Sequence, residues 1–151
     1  LKAMLESVAE TEFGDQPGRV EVRLPGDGVT RQVDAIRLRL VVKNLIENAL
    51  RYNPEGGPPV AVELRVLPGA VTISVRDHGP GIAREALARV TEPFFRADPA
   101  RSRTTGGFGL GLYLCRRIAE AHRGTLAVDS EPGQGTLVTV TIPDFEPPPG
   151  D

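Results

Sequence analysis

The sequence predicts an α/β (α+β) two-layer sandwich, in which a mixed β-sheet carries three main helices on one face. Two periodicities support this prediction. Short segments that alternate apolar and polar residues indicate strands, and longer segments with apolar residues every three or four positions indicate helices. Both kinds of segment occur along 151 residues, a length that suits one domain around a single core.

The elements can be placed in chain order from their spacing and their boundary residues. Asp34 stands where an N-cap belongs, and the long amphipathic helix that follows it ends at Asn53-Pro54. Two later strands are joined by a tight turn at Pro68-Gly69. The predicted helices are 1–10, 35–52, 84–90 and the segment from the glycines to about 122, and the predicted strands are about 20–24, 29–33, 60–68, 70–77, 124–130 and 135–142.

The composition excludes several functions for this chain. The net charge is −2 and no broad basic field exists, so no nucleic-acid partner is expected. No apolar run approaches the roughly 18 residues that span a bilayer, so no direct membrane insertion is expected. The single cysteine, Cys115, excludes an internal disulfide and a cysteine-based zinc site, and it fits a reducing compartment.

The long predicted helix has two distinct faces. Its apolar stripe is expected to face the core. Asn44, Asn48 and Arg51 lie at i, i+4 and i+7 on a second face, although asparagine is a mediocre helix former. Two interpretations stay open for this second face: a solvated surface, or a row of amide and guanidinium groups that bind phosphates and a metal. The apolar stripe consists of Leu38, Val42, Leu45 and Ala49.

A carboxylate ends the second strand of the predicted pair. The two-residue period places Asp77 on the same face as Val71, Ile73 and Val75. A carboxylate at the edge of a core is costly unless it is hydrogen-bonded, and a donor such as the exocyclic amine of adenine would satisfy it. The alternative is a turn carboxylate that caps a helix starting near residue 83.

Three further residues are expected around Asp77. Gly79 and Gly81 follow it directly, and their lack of side chains would let the backbone pack closely against a flat ligand. Thr136 has the parity of Val138 in the last strand, so its hydroxyl should point toward the same pocket. Threonine is common in strands, which makes this last signal weak by itself.

Four glycines lie within six positions directly before a helical pattern. A phosphate-binding P-loop would need a lysine and a hydroxyl after the last glycine, and a dinucleotide fingerprint would need a glycine where Leu112 stands. What remains is a flexible hinge into a helix N-terminus, where free N–H groups attract anions. Residues 91–108 show no sustained period, which is typical of a functional lid or a disordered segment. The glycines are Gly106, Gly107, Gly109 and Gly111.

Four motifs occur in an order that resembles the ATP-binding catalytic domain of two-component sensor histidine kinases, within the gyrase/Hsp90/kinase/MutL (GHKL) ATPase superfamily. The resemblance covers roughly residues 33–142. It implies a Bergerat-type ATP-binding fold with a mobile ATP lid, and it implies ATP and Mg2+ as cofactors. NLIENALRY (44–52) resembles the N box, DHGPGI (77–82) the D-x-G-x-G box, EPFFRAD (92–98) the F box and GGFGLGL (106–112) the glycine-rich box.

The resemblance also implies roles for individual residues. Asn48 is expected to ligate magnesium, Asp77 to bind the adenine amine, and Asn44 and Arg51 to act as the catalytic residues at the phosphates. Arg51 stands where lysine is common, which keeps the charge but changes the phosphate geometry, and His78 stands where asparagine is usual. The expected ATP-binding residues are Asn44, Asn48, Arg51, Tyr52, Asp77, Gly79, Gly81, Ile82, Phe95, Arg96, Arg101, Arg103, Gly107, Gly109, Leu110, Gly111, Leu112 and Thr136.

The residue at position 44 separates branches of this superfamily. Hydrolytic members carry a glutamate there as the general base, and Asn44 cannot take a proton at neutral pH, which favours a kinase over an ATPase. The resemblance therefore implies a protein-histidine kinase that donates the ATP γ-phosphate to a histidine on a separate dimerization domain. His78 and His122 lie inside the nucleotide-binding region, so the acceptor histidine is expected outside this chain.

The expected organisation is a remnant of a dimerization helix or linker over 1–12, an ATP-binding catalytic domain over 13–144 and a loose tail over 145–151. The implied partners are the dimerization or histidine-phosphotransfer domain of the parent kinase and a downstream response regulator, and the implied location is the cytoplasmic portion of a membrane-bound sensor. Two alternatives stay open: an anti-sigma-factor serine kinase of the same fold, and a non-catalytic nucleotide-sensing or interaction module. For Arg96, Arg101 and Arg103, the alternative to γ-phosphate contact is a solvated run of loop charge.

Overall fold

The computed structural model describes residues 2–15, 18–24, 34–92 and 111–143. The strand predicted at about 29–33 lies outside these ranges. The elements in chain order are α1 (Lys2–Phe13), β1 (Val20–Arg23), α2 (Ala35–Tyr52), β2 (Val60–Leu67), β3 (Ala70–Asp77), α3 (Arg84–Leu87), α4 (Gly111–Ala121), β4 (Thr125–Ser130) and β5 (Thr136–Pro143).

The five strands form one mixed sheet in the order β1-β2-β3-β5-β4. β1 and β2 are parallel, and the chain that connects them includes α2, because parallel neighbours need a crossover connection. The other neighbouring pairs are antiparallel. β3 is therefore the central strand, and its last residue, Asp77, lies opposite Thr136 of β5.

One face of the sheet is apolar and carries the helices. α1 contacts β1 and α2, α2 contacts β2 and β3, and α4 contacts α2, β4 and β5. The predicted two-layer sandwich with three main helices on one face is thus confirmed. The alternation in the three central strands places these buried residues on that face: Val60, Val62, Leu64, Val71, Ile73, Val75, Val138, Val140 and Ile142.

Helix α1 packs into the same core as the rest of the domain. Leu5, Val8 and Phe13 are buried in the main apolar cluster, and the guanidinium of Arg39 on α2 donates to the Ser7 hydroxyl at 3.2 Å. The boundary expected after residue 12 therefore lies within a helix that packs on the domain. The division of the chain into linker and catalytic domain stays a prediction.

The two predicted faces of α2 are present in the structure. Asp34 caps the helix, because its Oδ1 accepts from the backbone N–H of Arg37 at 3.1 Å. At the other end, the N–H of Asn53 donates to the Ala49 carbonyl at 2.9 Å, and Pro54 cannot continue the helix. The buried side of the helix contains the whole predicted stripe and two additional residues: Leu38, Val41, Val42, Leu45, Ile46 and Ala49.

Helix α4 packs on α2 through Cys115, Ile118 and Ala119. The Cys115 Sγ lies 3.7 Å from the Val41 carbonyl oxygen, and burial raises the pKa of the thiol to about 12. The thiol therefore stays protonated at neutral pH and behaves as a small apolar side chain.

Among the helices described, none is both long enough and apolar enough to span a bilayer.

The short helix predicted over 84–90 ends earlier than expected. α3 covers Arg84–Leu87, after which the chain continues in turns, with the N–H of Arg89 donating to the Ala86 carbonyl at 2.9 Å. None of the residues of α3 is buried, and Val90 after it is the first buried apolar residue. A helix this short needs tertiary packing to extend, and α3 has little of it.

We expect Gly135→Ala to destabilise the fold much more than Gly133→Ala. Both glycines have a φ of +81°, but a Cβ on Gly135 would overlap the Asp77 carbonyl oxygen, while nothing lies within 4 Å of a Cβ on Gly133. The left-handed backbone costs either alanine about 1–2 kcal/mol. The overlap should cost Gly135→Ala at least about a further 1–3 kcal/mol of unfolding free energy.

Denaturant unfolding of the two variants and the wild type measures this difference. Equal losses of unfolding free energy would contradict the close approach of the β4–β5 turn to the end of β3.

Candidate functional site

Asp77 ends the central strand on the buried side of the sheet and is only 4% exposed. Its Oδ1 accepts hydrogen bonds from the backbone N–H of Gly79 at 2.9 Å and of Thr136 at 3.2 Å. The alternative role of Asp77 as a cap of α3 is wrong, because the N-cap position is held by Ala83 and the bonds that Asp77 accepts from the described residues come from Gly79 and Thr136, outside the first turn of that helix. Both bonds from the described residues end on Oδ1, which leaves Oδ2 to accept a hydrogen bond from a ligand.

Burial raises the pKa of the Asp77 carboxyl above its usual value, because the ionised form loses hydration. The backbone donors at Gly79 and Thr136, and the nearby side chains of His78 and Arg76, act in the opposite direction but do not cancel the effect. A ligand that donates to the carboxylate would favour the ionised form. A buried ionisable group whose pKa is perturbed in this way is typical of a functional site.

The turn that follows Asp77 is attached to the protein at both ends. At its start, the backbone N–H of His78 donates to Asn53 Oδ1 at 2.8 Å. At its end, the backbone N–H of Ile82 donates to Ser130 Oγ at 2.8 Å. The turn is therefore connected to the end of α2 on one side and to the end of β4 on the other, so Asp77 lies on a rigid support.

Gly79 and Gly81 permit close contacts between backbone segments. A Cβ on Gly79 would overlap the carbonyl oxygen of Tyr52, and a Cβ on Gly81, which has a φ of +76°, would overlap the carbonyl oxygen of Glu131. The two glycines are thus needed because protein backbone lies directly against them. Their predicted contact with a flat ligand stays a prediction.

Thr136 is buried opposite Asp77 on the same face of the sheet, as its strand parity predicts. It is 6% exposed and its Oγ1 lies 2.8 Å from the hydroxyl oxygen of Ser130. Ser130 donates its single proton to the Gly135 carbonyl at 2.9 Å, so the hydroxyl of Thr136 is the donor to Ser130. Thr136 Oγ1 keeps acceptor capacity for a ligand or an ordered water.

The polar stripe of α2 begins beside the start of α4. Asn44 donates from Nδ2 to the Leu40 carbonyl at 2.8 Å, and its Oδ1 lies 3.8 Å from where a Cβ on Gly111 would stand. Asn48 follows one turn later and is half-buried. The helix then ends at Tyr52, whose carbonyl lies against Gly79. This face of α2 therefore runs from beside Gly111 to the Asp77 turn, over about 12 Å of helix between residues 44 and 52.

Several predicted site residues lie outside the described part of the chain, and their roles stay predictions. At the start of α4, the half-buried Leu112 packs against the core, and an added Cβ on Gly111 would make only an ordinary contact. Gly111 is thus not sterically required by the described residues. The residues outside the described ranges are Phe95, Arg96, Arg101, Arg103, Gly107, Gly109 and Leu110.

Two residues that hold the site are not singled out by the sequence analysis. Ser130 has the parity of Leu126 and Val128 in β4, so it is a polar residue on the apolar face of the strand. This mismatch is the signal that could have identified it. Asn53 is recognisable in the sequence only as the end of a helix before Pro54. Its contact with the Asp77 turn depends on how distant segments pack, and no local pattern indicates it.

Within the described ranges, no group of three or more His, Cys, Asp or Glu side chains could hold a metal ion. Mg2+ usually keeps several waters and binds through one or two protein ligands together with substrate phosphates. The amide oxygen of Asn48, which is half-buried on α2, fits this type of coordination by its chemistry.

The site thus consists of a buried carboxylate at the end of the central strand of a mixed α/β sheet, and of a stripe of amides on the helix α2 that packs on this sheet. The sequence matches the model of the histidine kinase-, DNA gyrase B- and HSP90-like ATPase family over residues 33–146, so the chain belongs to that family.

The relatives in sequence include sensor histidine kinases. The sensor-like histidine kinase SenX3 of Mycolicibacterium smegmatis is 43% identical over 107 residues, which are 71% of this chain and 28% of that protein. The sensor histidine kinase WalK of Bacillus subtilis is 37% identical over 121 residues, which are 80% of this chain and 20% of that protein. The chain thus spans about a quarter of the length of these relatives.

Solved structures show the same fold. Full-length ShkA, solved in complex with AMPPNP, gives a TM-score of 0.79 at 29% identity over 97% of this chain and 30% of that chain. The mycobacterial sensor histidine kinase MprB gives a TM-score of 0.77 at 26% identity over 97% of this chain and 95% of that chain. The predicted resemblance to catalytic domains of sensor histidine kinases is confirmed.

We expect Asp77→Asn to fold but to lose nucleotide recognition. The asparagine Oδ1 can keep both backbone hydrogen bonds, while its NH2 group places a donor where Oδ2 would accept from adenine. Leaving a buried polar group unpaired costs about 1–3 kcal/mol, so the Kd for Mg-ADP should rise about tenfold or more. The rise in melting temperature that Mg-ADP produces should be largely lost.

The matched control is Asp129→Asn, which changes an exposed carboxylate on β4, two strands away in the sheet, and should keep the full shift in melting temperature. An unchanged shift in Asp77→Asn would remove Asp77 from the nucleotide site.

We also expect Asp77→Asn to change the pH dependence of stability without ligand. Because burial raises the folded-state pKa of Asp77, the native state holds this proton more tightly than the unfolded chain. The contribution of the carboxyl to stability therefore falls as the pH rises from its ordinary pKa through the raised one. Relative to the wild type, the variant should gain unfolding free energy across this window and keep the gain at neutral pH. Denaturant unfolding at a series of pH values measures this, and a difference independent of pH would contradict it.

Proposed function

We propose that this chain binds Mg-ATP and donates the γ-phosphate to a histidine on a separate dimerization domain, in two-component signal transduction. The observation that carries the proposal is the buried Asp77 carboxylate, whose Oδ1 is bound by backbone N–H groups while Oδ2 stays available to a ligand. The exocyclic amine of adenine is a donor of the right chemistry. The naming of the relatives as sensor histidine kinases supports the same function.

The phosphates would lie along the polar stripe of α2. Asn48 would hold the magnesium ion through its amide oxygen, and the ion supplies charge neutralisation at the β- and γ-phosphates when bound. Asn44 and Arg51 would orient the phosphates, Arg51 through charge-assisted hydrogen bonds. Arg96, Arg101 and Arg103 are proposed to contact the γ-phosphate from the segment between the F box and the glycine-rich box.

A kinase is favoured over a hydrolase because the site lacks a base for water at position 44. The amide of Asn44 cannot accept a proton at neutral pH. The nearest acidic residue on the helix, Glu47, pairs with Lys43 at 3.9 Å and lies off the asparagine stripe. The γ-phosphate would therefore be kept for a nucleophile supplied by another domain.

Neither histidine of the chain is a suitable acceptor. Both ring nitrogens of His122 have partners, since Nε2 accepts from the backbone N–H of Asp34 at 3.2 Å and Nδ1 lies 2.9 Å from the Ile118 carbonyl. His78 follows Asp77 at the proposed adenine end of the site. This supports a dimerization or histidine-phosphotransfer domain as the acceptor and a response regulator as the next partner. We propose that the chain acts in the cytoplasmic portion of a larger sensor kinase.

We expect labelled ATP to phosphorylate a suitable dimerization domain in the presence of this chain, and not the chain itself. The phosphate should be acid-labile, as phosphohistidine is. Asn48→Ala should reduce the transfer rate by at least about tenfold, since it would remove a metal ligand. Glu47→Gln, which changes the residue directly before Asn48, is the control and should keep most of the activity.

Acid-stable label on serine would favour the anti-sigma-factor kinase instead. ATP binding without transfer to any candidate domain would favour a non-catalytic module.

We expect the isolated chain to hydrolyse ATP slowly, because no residue at position 44 can deprotonate water. A phosphate-release assay in magnesium buffer measures this. Fast turnover that Asn48→Ala abolishes would exclude contamination and move the protein to the hydrolytic branch of the family.

A further inference from the structure

Asn53 is a buried polar residue at the junction of the two halves of the site. It is 6% exposed, and both polar atoms of its side chain are used. Its Oδ1 accepts from the backbone N–H of His78 at 2.8 Å, and its Nδ2 donates to the Pro58 carbonyl at 2.9 Å. The side chain therefore bridges the Asp77 turn and the segment that leads into β2.

The backbone of Asn53 is held as well. Its N–H donates to the Ala49 carbonyl at 2.9 Å, which makes the residue a direct continuation of α2. Its carbonyl accepts from the guanidinium of Arg19 at 3.2 Å. Directly before it, the Tyr52 carbonyl packs against Gly79. Asn53 thus cannot move without moving the end of α2.

We propose that Asn53 is a positioning residue for nucleotide recognition, which sets the place of the Asp77 carboxylate relative to the polar stripe of α2. This inference rests on the proposed function, in which Asp77 reads adenine and Asn44 and Asn48 act at the phosphates. A nucleotide must contact the Asp77 carboxylate and the amides of α2 at once, so the distance between the carboxylate and the amides decides which base fits the site. Recognition by hydrogen bonds is lost when a contact is displaced by about 1 Å.

A purely structural role for Asn53 predicts a different result. If the residue only stabilised the fold, its loss would weaken every nucleotide by a similar factor. If it positions Asp77, its loss should chiefly weaken the contact with the exocyclic amine. Inosine diphosphate carries a carbonyl oxygen where ADP carries that amine, so the ratio of the two Kd values reports the Asp77 contact separately from overall affinity.

Three substitutions distinguish the role of the Asn53 Oδ1 acceptor from that of its Nδ2 donor. Asn53→Ala and Asn53→Leu remove both, and leucine fills a similar volume in case the alanine variant does not melt cooperatively. Asn53→Asp is nearly isosteric and keeps an acceptor for the His78 N–H, but it loses the donor to the Pro58 carbonyl. It is therefore the matched control, because it should lose stability while it keeps the bond to the turn.

The experiment measures Kd for Mg-ADP and for Mg-inosine diphosphate by calorimetry, with melting temperature as a check of the fold. In the wild type we expect a preference for ADP of about tenfold or more. Asn53→Ala and Asn53→Leu should reduce this preference at least about threefold, and Asn53→Asp should keep it within about twofold. Added to Asp77→Asn, Asn53→Leu should cause no further loss of preference, because the two changes act on one contact.

A wild-type chain that binds ADP no better than inosine diphosphate would contradict the proposed function itself. A wild type that prefers ADP, together with Asn53→Ala and Asn53→Leu variants that keep this preference, would overturn the role of Asn53 alone. An equal loss of preference in Asn53→Asp and Asn53→Leu would also overturn it, because the bond to His78 would then not be the cause.

Discussion

The carboxylate of Asp77, buried at the end of the central strand, constrains most of the site around it. One of its oxygens is shared by two backbone N–H groups, from Gly79 and Thr136, so the following turn and the facing strand must both approach closely. The facing strand can do so only because Gly135 has no Cβ next to the Asp77 carbonyl. One buried carboxylate thus constrains the backbone conformation of two turns, the one after β3 and the one between β4 and β5.

Burial of this carboxylate lowers the stability of the protein without ligand at neutral pH. The backbone donors reduce the free-energy cost of burying the ionised carboxylate but do not remove it. The pKa of Asp77 therefore stays raised. A ligand donor at Oδ2 would offset part of that cost, so a ligand with such a donor would bind more tightly than one without it. The rigid attachment of the turn through Asn53 and Ser130 keeps the carboxylate in place without a ligand.

The local patterns of the sequence predicted the parts of the site that depend on one element. The helical period separated the apolar and polar stripes of α2, and strand parity placed Asp77 and Thr136 on the inner face. The same parity places Ser130 on the apolar face of β4, although serine is polar. Sequence spacing overestimated α3, because spacing gives no measure of how much tertiary packing a short helix receives. Asn53 had no local signal, since its role lies in a contact with another segment.

The sequence by itself determined the elements, their buried faces and the types of the functional side chains, because these follow from periods of two and 3.6 residues within one segment. Only the tertiary structure decided the strand order, with β5 between β3 and β4, and hence that Thr136 lies opposite Asp77. It also decided the bonds from His78 to Asn53 and from Ile82 to Ser130, which join residues 25 and 48 positions apart. Such contacts form when packed layers bring distant backbone groups together, and the residues near each partner in the chain carry no pattern that indicates them.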